Sequence, residues 1–316
     1  MRPVLDILEQ WCPSFTSNQK KRINEYVKYE ETAFKPLLDT YLELMDQYNT
    51  RQFFGNDTRL ASGLVFFYGC VLYTLQNKEW SDKIPMLFRY NVLYLLVDYT
   101  IDDTNIKIED KEVMVRQMSM LVRDPKLRHS MNLCNPILNI IAKIYEDLLE
   151  ECPNIKKGMI ELFKAEQAGA KIQKSRRYGR SCYHSIARKK GSTTMLVLAD
   201  ITGGSSEQLS DIGVIMQLID DCLDVNMDMD NKIHTIATHD LTENGNLDVI
   251  WYEILNRIDH LNISTFKVVY SIFAVYVISS NPANYSSKLI SKIKPYFVAD
   301  FDAEQLIMDS IITRSF

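Results

Sequence analysis

Apolar residues recur at three- and four-residue steps along most of this chain. The repeat runs through "EETAFKPLLDTYLELMDQY" (30–48), "LASGLVFFYGCVLYTLQ" (60–76), "KIPMLFRYNVLYLLVDYTIDD" (83–103) and "KEVMVRQMSMLV" (111–122). It continues in "PILNIIAKIYEDLLEE" (136–151), "NIKKGMIELFKAEQAGAKIQKS" (154–175), "TTMLVLADI" (193–201) and "EQLSDIGVIMQLIDDCLDV" (207–225). Later come "LDVIWYEILNRI" (247–258), "TFKVVYSIFAVYVI" (265–278) and "SKLISKIKPYF" (287–297). That period puts apolar side chains on one face of an α-helix. Between the repeats lie "FFGNDT", "QNKEWSD", "RDPK", "ECPN", "TGGSS", "HDLTENGN", "SSNPANYSS" and "VADFDAEQ", whose Gly, Pro, Asn and Asp mark breaks. The β-branched run 265–278 is the best strand alternative, and its length favours helix. The pattern predicts an all-α protein, a single large bundle of roughly a dozen helices. Segments 60–76, 88–97 and 207–223 are apolar nearly all round, as helices inside a large bundle are.

Composition agrees with helix. Gly numbers 11 in 316 residues, while Leu, Ile, Met and Lys abound. No internal repeat or Gly/Ser/Pro linker divides the chain, so one domain over 1–316 is expected. A net charge of −5 and a pI near 5.6 argue against a nucleic-acid binder. No apolar run reaches ~18 residues, so no membrane span is expected. The opening "MRPVLDILEQW" lacks the apolar core of a signal peptide, and the six Cys form no C-x-x-C pair. A cytoplasmic location with reduced thiols is the expectation.

One stretch disturbs this picture. "QLIDDCLDVNMDMD" (217–230) places five aspartates among apolar residues that belong to a buried helix. In helical geometry Asp220, Asp224 and Asp228 stand at i, i+4, i+8 and share a face, with Asp221 at its edge and Asp230 elsewhere. Like charges at that spacing destabilise a helix by ~0.2–0.5 kcal/mol per pair, and burial raises the cost. A hard cation reverses the sign, and Mg²⁺ takes one or two carboxylates together with substrate phosphates. A second cluster, "VDYTIDDT" (97–104), sets Asp98 and Asp102 at i, i+4. A calcium loop starting at Asp224 fails, because Met229 stands where Gly is needed and Thr235 where Glu is needed.

These residues resemble the class I isoprenoid synthases, which comprise trans-prenyl diphosphate synthases and class I terpene synthases. The likeness is clearest over about 85–255. The family's first motif, DDxxD, reads "DYTID" here, with Asp98 and Asp102 at its ends and Tyr99 in place of the second Asp. "MQLIDDCLD" is similar to the second prenyl-synthase motif, with Gln217, Asp220, Asp221 and Asp224. "DDCLDVNMD" has the spacing of the terpene-synthase motif NDxxSxxxE, with Asp220, Asp224 and Asp228 at the chelating positions. "ARKKGSTTMLVLADI" resembles the RRxTSG stretch, which makes Arg188 the diphosphate sensor; Arg176 and Arg177 of "KSRRYGR" are the alternatives. Lys232 follows the second cluster where a basic residue touches the diphosphate.

The resemblance implies a bundle around a deep apolar cavity, about three Mg²⁺ held by Asp98, Asp102, Asp220, Asp224 and Asp228, and substrate contacts from Arg177, Arg188, Gln217 and Lys232. Asp98, Asp102 and Arg188 would be the catalytic groups. Phe66, Phe67, Tyr68, Tyr73, Phe88, Tyr90, Tyr94 and Trp251 are candidates for the aromatic lining. Chain elongation also needs a second basic cradle for isopentenyl diphosphate. Of it only Arg59 and Lys107 remain, and Asn91 stands where the family has His or Gln. The expected activity is therefore a terpene synthase that cyclises a linear prenyl diphosphate, farnesyl diphosphate first, with a homodimer compatible. The alternatives are a prenyl diphosphate synthase or its non-catalytic subunit, a head-to-head condenser using "DVNMD" (224–228), and a helical scaffold without catalysis.

Overall fold

A computed structural model describes residues 39–54, 83–102, 106, 108–203, 207–261 and 281–293. Among these residues every regular element is helical and no strand occurs. The helices are α1 (Ile84–Asp102), α2 (Ile108–Arg123), α3 (Pro136–Glu151), α4 (Ile155–Gln173), α5 (Arg180–Thr202), α6 (Glu207–Leu223), α7 (Val225–Asp230), α8 (Ile236–Asn244), α9 (Asp248–His260) and α10 (Ser287–Ile293). Residues 39–47 are also helical. The helices expected over 60–76 and 265–278 lie outside the described residues.

The chain divides into two compact units. The first holds Met1–Pro36, Gln173–Arg188 and Val214–Phe316; the second holds Leu37–Ile172 and Lys189–Gly213. In the second unit α1 packs along α3, and α2 packs on α3. Leu87, Phe88, Tyr90, Val92, Leu93 and Leu96 of α1 are all buried, around most of its circumference. Phe88 meets the edge of Tyr41 at 5.1 Å. Polar punctuation sets the boundaries: the Asn135 side chain accepts from the Ile137 N–H and Pro136 opens α3, a pairing suited to an N-terminus.

Helix α5 begins thirteen residues before the apolar stretch that announces it in the sequence. Its first half buries only one thin stripe, Tyr183, Ala187 and Gly191, which leads at four-residue steps to Met195. A stripe that narrow gives little periodic signal. Gly191 is part of a close helix crossing. A Cβ added to Gly213 of α6 would collide with the Gly191 carbonyl oxygen and lie 2.7 Å from Met195 Cγ. Between α4 and α5, a Cβ on Gly158 would come within 2.8 Å of Val197 Cγ2.

In the first unit α8 occupies "IATHDLTEN", part of which reads as a break. The helix forms because Thr235 and Thr238 make a reciprocal capping box, which satisfies two end donors at once. Gly245, at φ 70, ends it in the left-handed region. Trp251 of α9 is fully buried against the edge of Tyr285, at 6.3 Å. The Asp248 carboxylate accepts from the Ser286 N–H at 2.9 Å and from its hydroxyl, tying α9 to α10.

The α5–α6 crossing gives a stability prediction. Gly213→Ala should destabilise by about 1–3 kcal/mol through overpacking. Gly179→Ala, where a Cβ meets nothing within 4 Å, should leave the stability measured by urea unfolding unchanged within about 0.5 kcal/mol.

Candidate functional site

Helix α6 buries Leu209, Ile212, Ile215, Leu218, Ile219 and Cys222. Its last turn carries Asp220, exposed, and Asp221, only 7% exposed. One turn earlier, Gln217 Nε2 donates to Asp221 Oδ1 at 3.1 Å and to Asp220 Oδ2 at 3.4 Å. Gln217 thus bridges the aspartate pair.

The helix is interrupted at Asp224 (φ −87, ψ 0) and resumes as α7. Two i, i+4 bonds nevertheless span the interruption. Asp224 N–H donates to Asp220 O at 3.0 Å, and Asp228 N–H to Asp224 O at 2.8 Å. Asp220, Asp224 and Asp228 therefore keep their helical register. They also grade inward: Asp220 is exposed, Asp224 half-buried and Asp228 buried at 8% exposure. Burial pushes the Asp224 carboxyl above the usual range. Asp230 is exposed.

A tight reversal follows. Ile233 N–H returns to Asp228 O at 2.8 Å, and Lys232 adopts φ 58. His234 N–H then donates to Gln173 O at 2.8 Å. That bond sets the turn bearing Lys232 beside the turn bearing Lys174, Arg176 and Arg177. Arg177 lies 5.2 Å from the centre of the Tyr178 ring and donates to its hydroxyl at 3.2 Å. Arg188 is exposed on α5. Asp98 and Asp102 occupy α1 four residues apart in continuous helix; their side chains lie outside the described residues.

Some charged contacts have no counterpart in the motif reading. Asp240 is fully buried, and Arg180 Nε reaches its oxygens at 2.8 and 3.0 Å. His239 Nδ1 is 3.5 Å from the same carboxylate. On α5, His184 Nε2 lies 2.8 Å from Glu253 Oε1, which also accepts from Arg257 at 3.0 Å. Arg180 and Asp240 stand sixty residues apart, so no local spacing flags them. Burial first, and then the carboxylates of Asp221, Asp240 and Asp220, push the Cys222 thiol well up; it is an unreactive packing group.

In the second unit, Tyr90, Tyr94, Val97, Tyr145, Phe163 and Glu166 are among the residues around a cavity of about 20 Å³. Ligand sites run to roughly 300–1,000 Å³, so this is a packing space and is not assigned to a prenyl chain. Of the expected aromatic lining, Tyr90 and Tyr94 border it; Phe88 and Trp251 do not, and like Tyr90 they are buried. Glu166 Oε2 pairs with Lys190 Nζ at 2.8 Å, with both side chains largely buried.

Among the described residues no group of three or more His, Cys, Asp or Glu side chains is assembled as a metal site. The donor chemistry of the Asp220–Asp224–Asp228 run is that of a hard cation, and Mg²⁺ needs only one or two protein carboxylates when phosphates complete its shell. No family model, curated protein or solved structure matches the chain.

The raised Asp224 carboxyl has a signed consequence. Its folded-state pKa lies above the unfolded one, so the folded state is favoured while the group is protonated and loses that advantage as pH rises through the raised value. Without added metal, Asp224→Asn should raise the urea midpoint at pH 7. The difference should close as pH falls below about 4, where the unfolded carboxyl is also protonated.

Proposed function

We propose that the chain is a class I terpene synthase, which ionises a linear prenyl diphosphate and releases diphosphate and a cyclic terpene. The observation that carries this reading is the Asp220–Asp224–Asp228 run, linked at i, i+4 by two backbone hydrogen bonds and graded from solvent inward. The turns holding Arg177 and Lys232 belong to the same unit. A scaffold gains nothing from a half-buried carboxylate whose proton is hard to remove, whereas a site that gathers cations and phosphates does.

On this reading Asp220, Asp224 and Asp228 would hold Mg²⁺, with Asp98 and Asp102 as the second carboxylate pair of about three ions, and the metal would supply charge neutralisation for the leaving group. Gln217 fixes Asp220 and Asp221. Arg177, Arg188 and Lys232 give charge-assisted hydrogen bonds to diphosphate oxygens. The allylic C–O bond breaks with its electron pair going to the diphosphate. The prenyl cation closes on its own double bonds and loses a proton. The cyclase branch is favoured over elongation by Asn91. Its side chain is 3% exposed and accepts from the Tyr41 hydroxyl at 3.3 Å, so it is committed to the core and does not offer a contact to a second diphosphate.

The test is product analysis. The protein with Mg²⁺ and geranyl, farnesyl or geranylgeranyl diphosphate should release a hydrocarbon from one substrate without isopentenyl diphosphate. EDTA should abolish this, and Asp224→Asn should reduce the rate at least ~100-fold. Longer diphosphates formed only with isopentenyl diphosphate would establish an elongating enzyme instead. No turnover, with diphosphate binding unaffected by Asp224→Asn, would establish a non-catalytic protein.

A further inference from the structure

Helix α8 has little apolar surface with which to place itself. Of its nine residues, the buried apolar ones are Ile236 and Ala237, and Thr238 and Asp240 are buried beside them. Asp240 is fully buried, and Arg180 Nε of α5 donates to it at 2.8 Å from Oδ1 and 3.0 Å from Oδ2. The first half of α5 is equally short of apolar contact, because its buried stripe is thin. A buried ion pair adds little net stability, since desolvation offsets most of the Coulomb gain; its best-attested use is to fix register. Arg180–Asp240 fixes the register of α8 against α5.

That register reaches the aspartate run through the main chain. Residues 173–183 and 231–240 are fastened to each other at both ends. At one end His234 N–H donates to Gln173 O at 2.8 Å. At the other, Arg180 holds Asp240, and the ring of Tyr183 lies 5.8 Å from that of His239. The Tyr183 hydroxyl folds the first segment back by donating to Ser175 O at 2.6 Å. In the return between α7 and α8, Ile233 N–H donates to Asp228 O at 2.8 Å. Asp228 is the most buried of Asp220, Asp224 and Asp228. Its backbone is thus tied to a segment whose far end is secured at Asp240.

We infer that Arg180 and Asp240 are a positioning pair for the cation site: by fastening α8 to α5 they hold the return after α7, and with it Asp228, at a fixed depth. Neither touches metal or substrate. What Asp228 binds rests on the synthase reading, while the fastening stands on the contacts. The other clasp on this half of α5 lies off the path. There His184 meets Glu253, which belongs to α9 beyond the Gly245 stop and also accepts from Arg257.

Calorimetric titration with Mg²⁺ at a fixed pyrophosphate concentration, beside the melting temperature of each variant, tests the pair. Arg180→Gln and Asp240→Asn should each weaken Mg²⁺ binding about tenfold, as loss of an outer contact does at metal sites. Arg180→Gln should melt lowest, because it leaves a buried carboxylate without its cation. Arg180→Met/Asp240→Leu should recover melting temperature, yet bind Mg²⁺ as weakly as the single variants, because an apolar pair packs without fixing direction. Arg180→Lys, which keeps the charge, should bind close to wild type. Glu253→Gln should melt lower and bind Mg²⁺ unchanged. Should Arg180→Gln not fold, the double variant and Arg180→Lys carry the comparison. Unchanged binding in the Arg180 and Asp240 variants overturns the inference and leaves the synthase reading standing. So does binding that recovers with melting temperature in the double variant, binding in Arg180→Lys as weak as in Arg180→Gln, or equal weakening by Glu253→Gln. Absence of Mg²⁺ binding by the wild-type protein removes the synthase reading and this inference with it. The expected variant pattern without turnover of any prenyl diphosphate keeps the positioning pair and removes the synthase activity.

Discussion

Removing a carboxylate from water is the constraint that shapes the first unit. Asp221, Asp228 and Asp240 are each less than 9% exposed, and a buried charge without compensation costs several kcal/mol. The chain answers case by case. Asp240 receives Arg180 from the start of α5, which ties that helix to α8. Asp221 receives an amide from Gln217 on its own helix. Asp224 stands midway between solvent and core, and desolvation dominates its titration.

Strong local periodicity made most of the helices legible. Pro136–Glu151 coincides with its apolar repeat to the residue, because Asn135-Pro136 opens it and the stripe Ile137, Ile141, Ile144, Tyr145, Leu148 is broad. Helix α5 was half hidden, since its first turns bury only Tyr183, Ala187 and Gly191, and small residues weigh little in a hydrophobic count. Helix α8 was hidden by its own ends: the residues that make a capping box and a left-handed stop are those that mark loops in sequence. In each case the fold is set by hydrogen bonds and close approach, which composition does not encode.

The aspartate run was legible as a register and not as a depth. Spacing alone put Asp220, Asp224 and Asp228 on one face, and the backbone keeps them there across the interruption at Asp224. Which of the three meets solvent depends on what α6 and α7 pack against, so Asp221, marginal by angle, proves more buried than Asp220. The proposed relation to class I isoprenoid synthases rests on that register and on Asp98 and Asp102. The Arg180–Asp240 pair could not be read in advance, because nothing in a linear spacing of sixty residues signals a contact.

The contact between Gly213 and the Gly191 carbonyl has a consequence beyond stability. Where two helices meet with no side chain between them, neither can slide along its axis without lifting a backbone off the other. The crossing acts as a detent on α6. Asp220 lies seven residues farther on, about 10 Å at 1.5 Å per residue, so the point at which the carboxylate run begins is indexed by a residue that has no side chain. A chain with a larger residue at 213 would have to move the whole helix, and with it the starting point of the run.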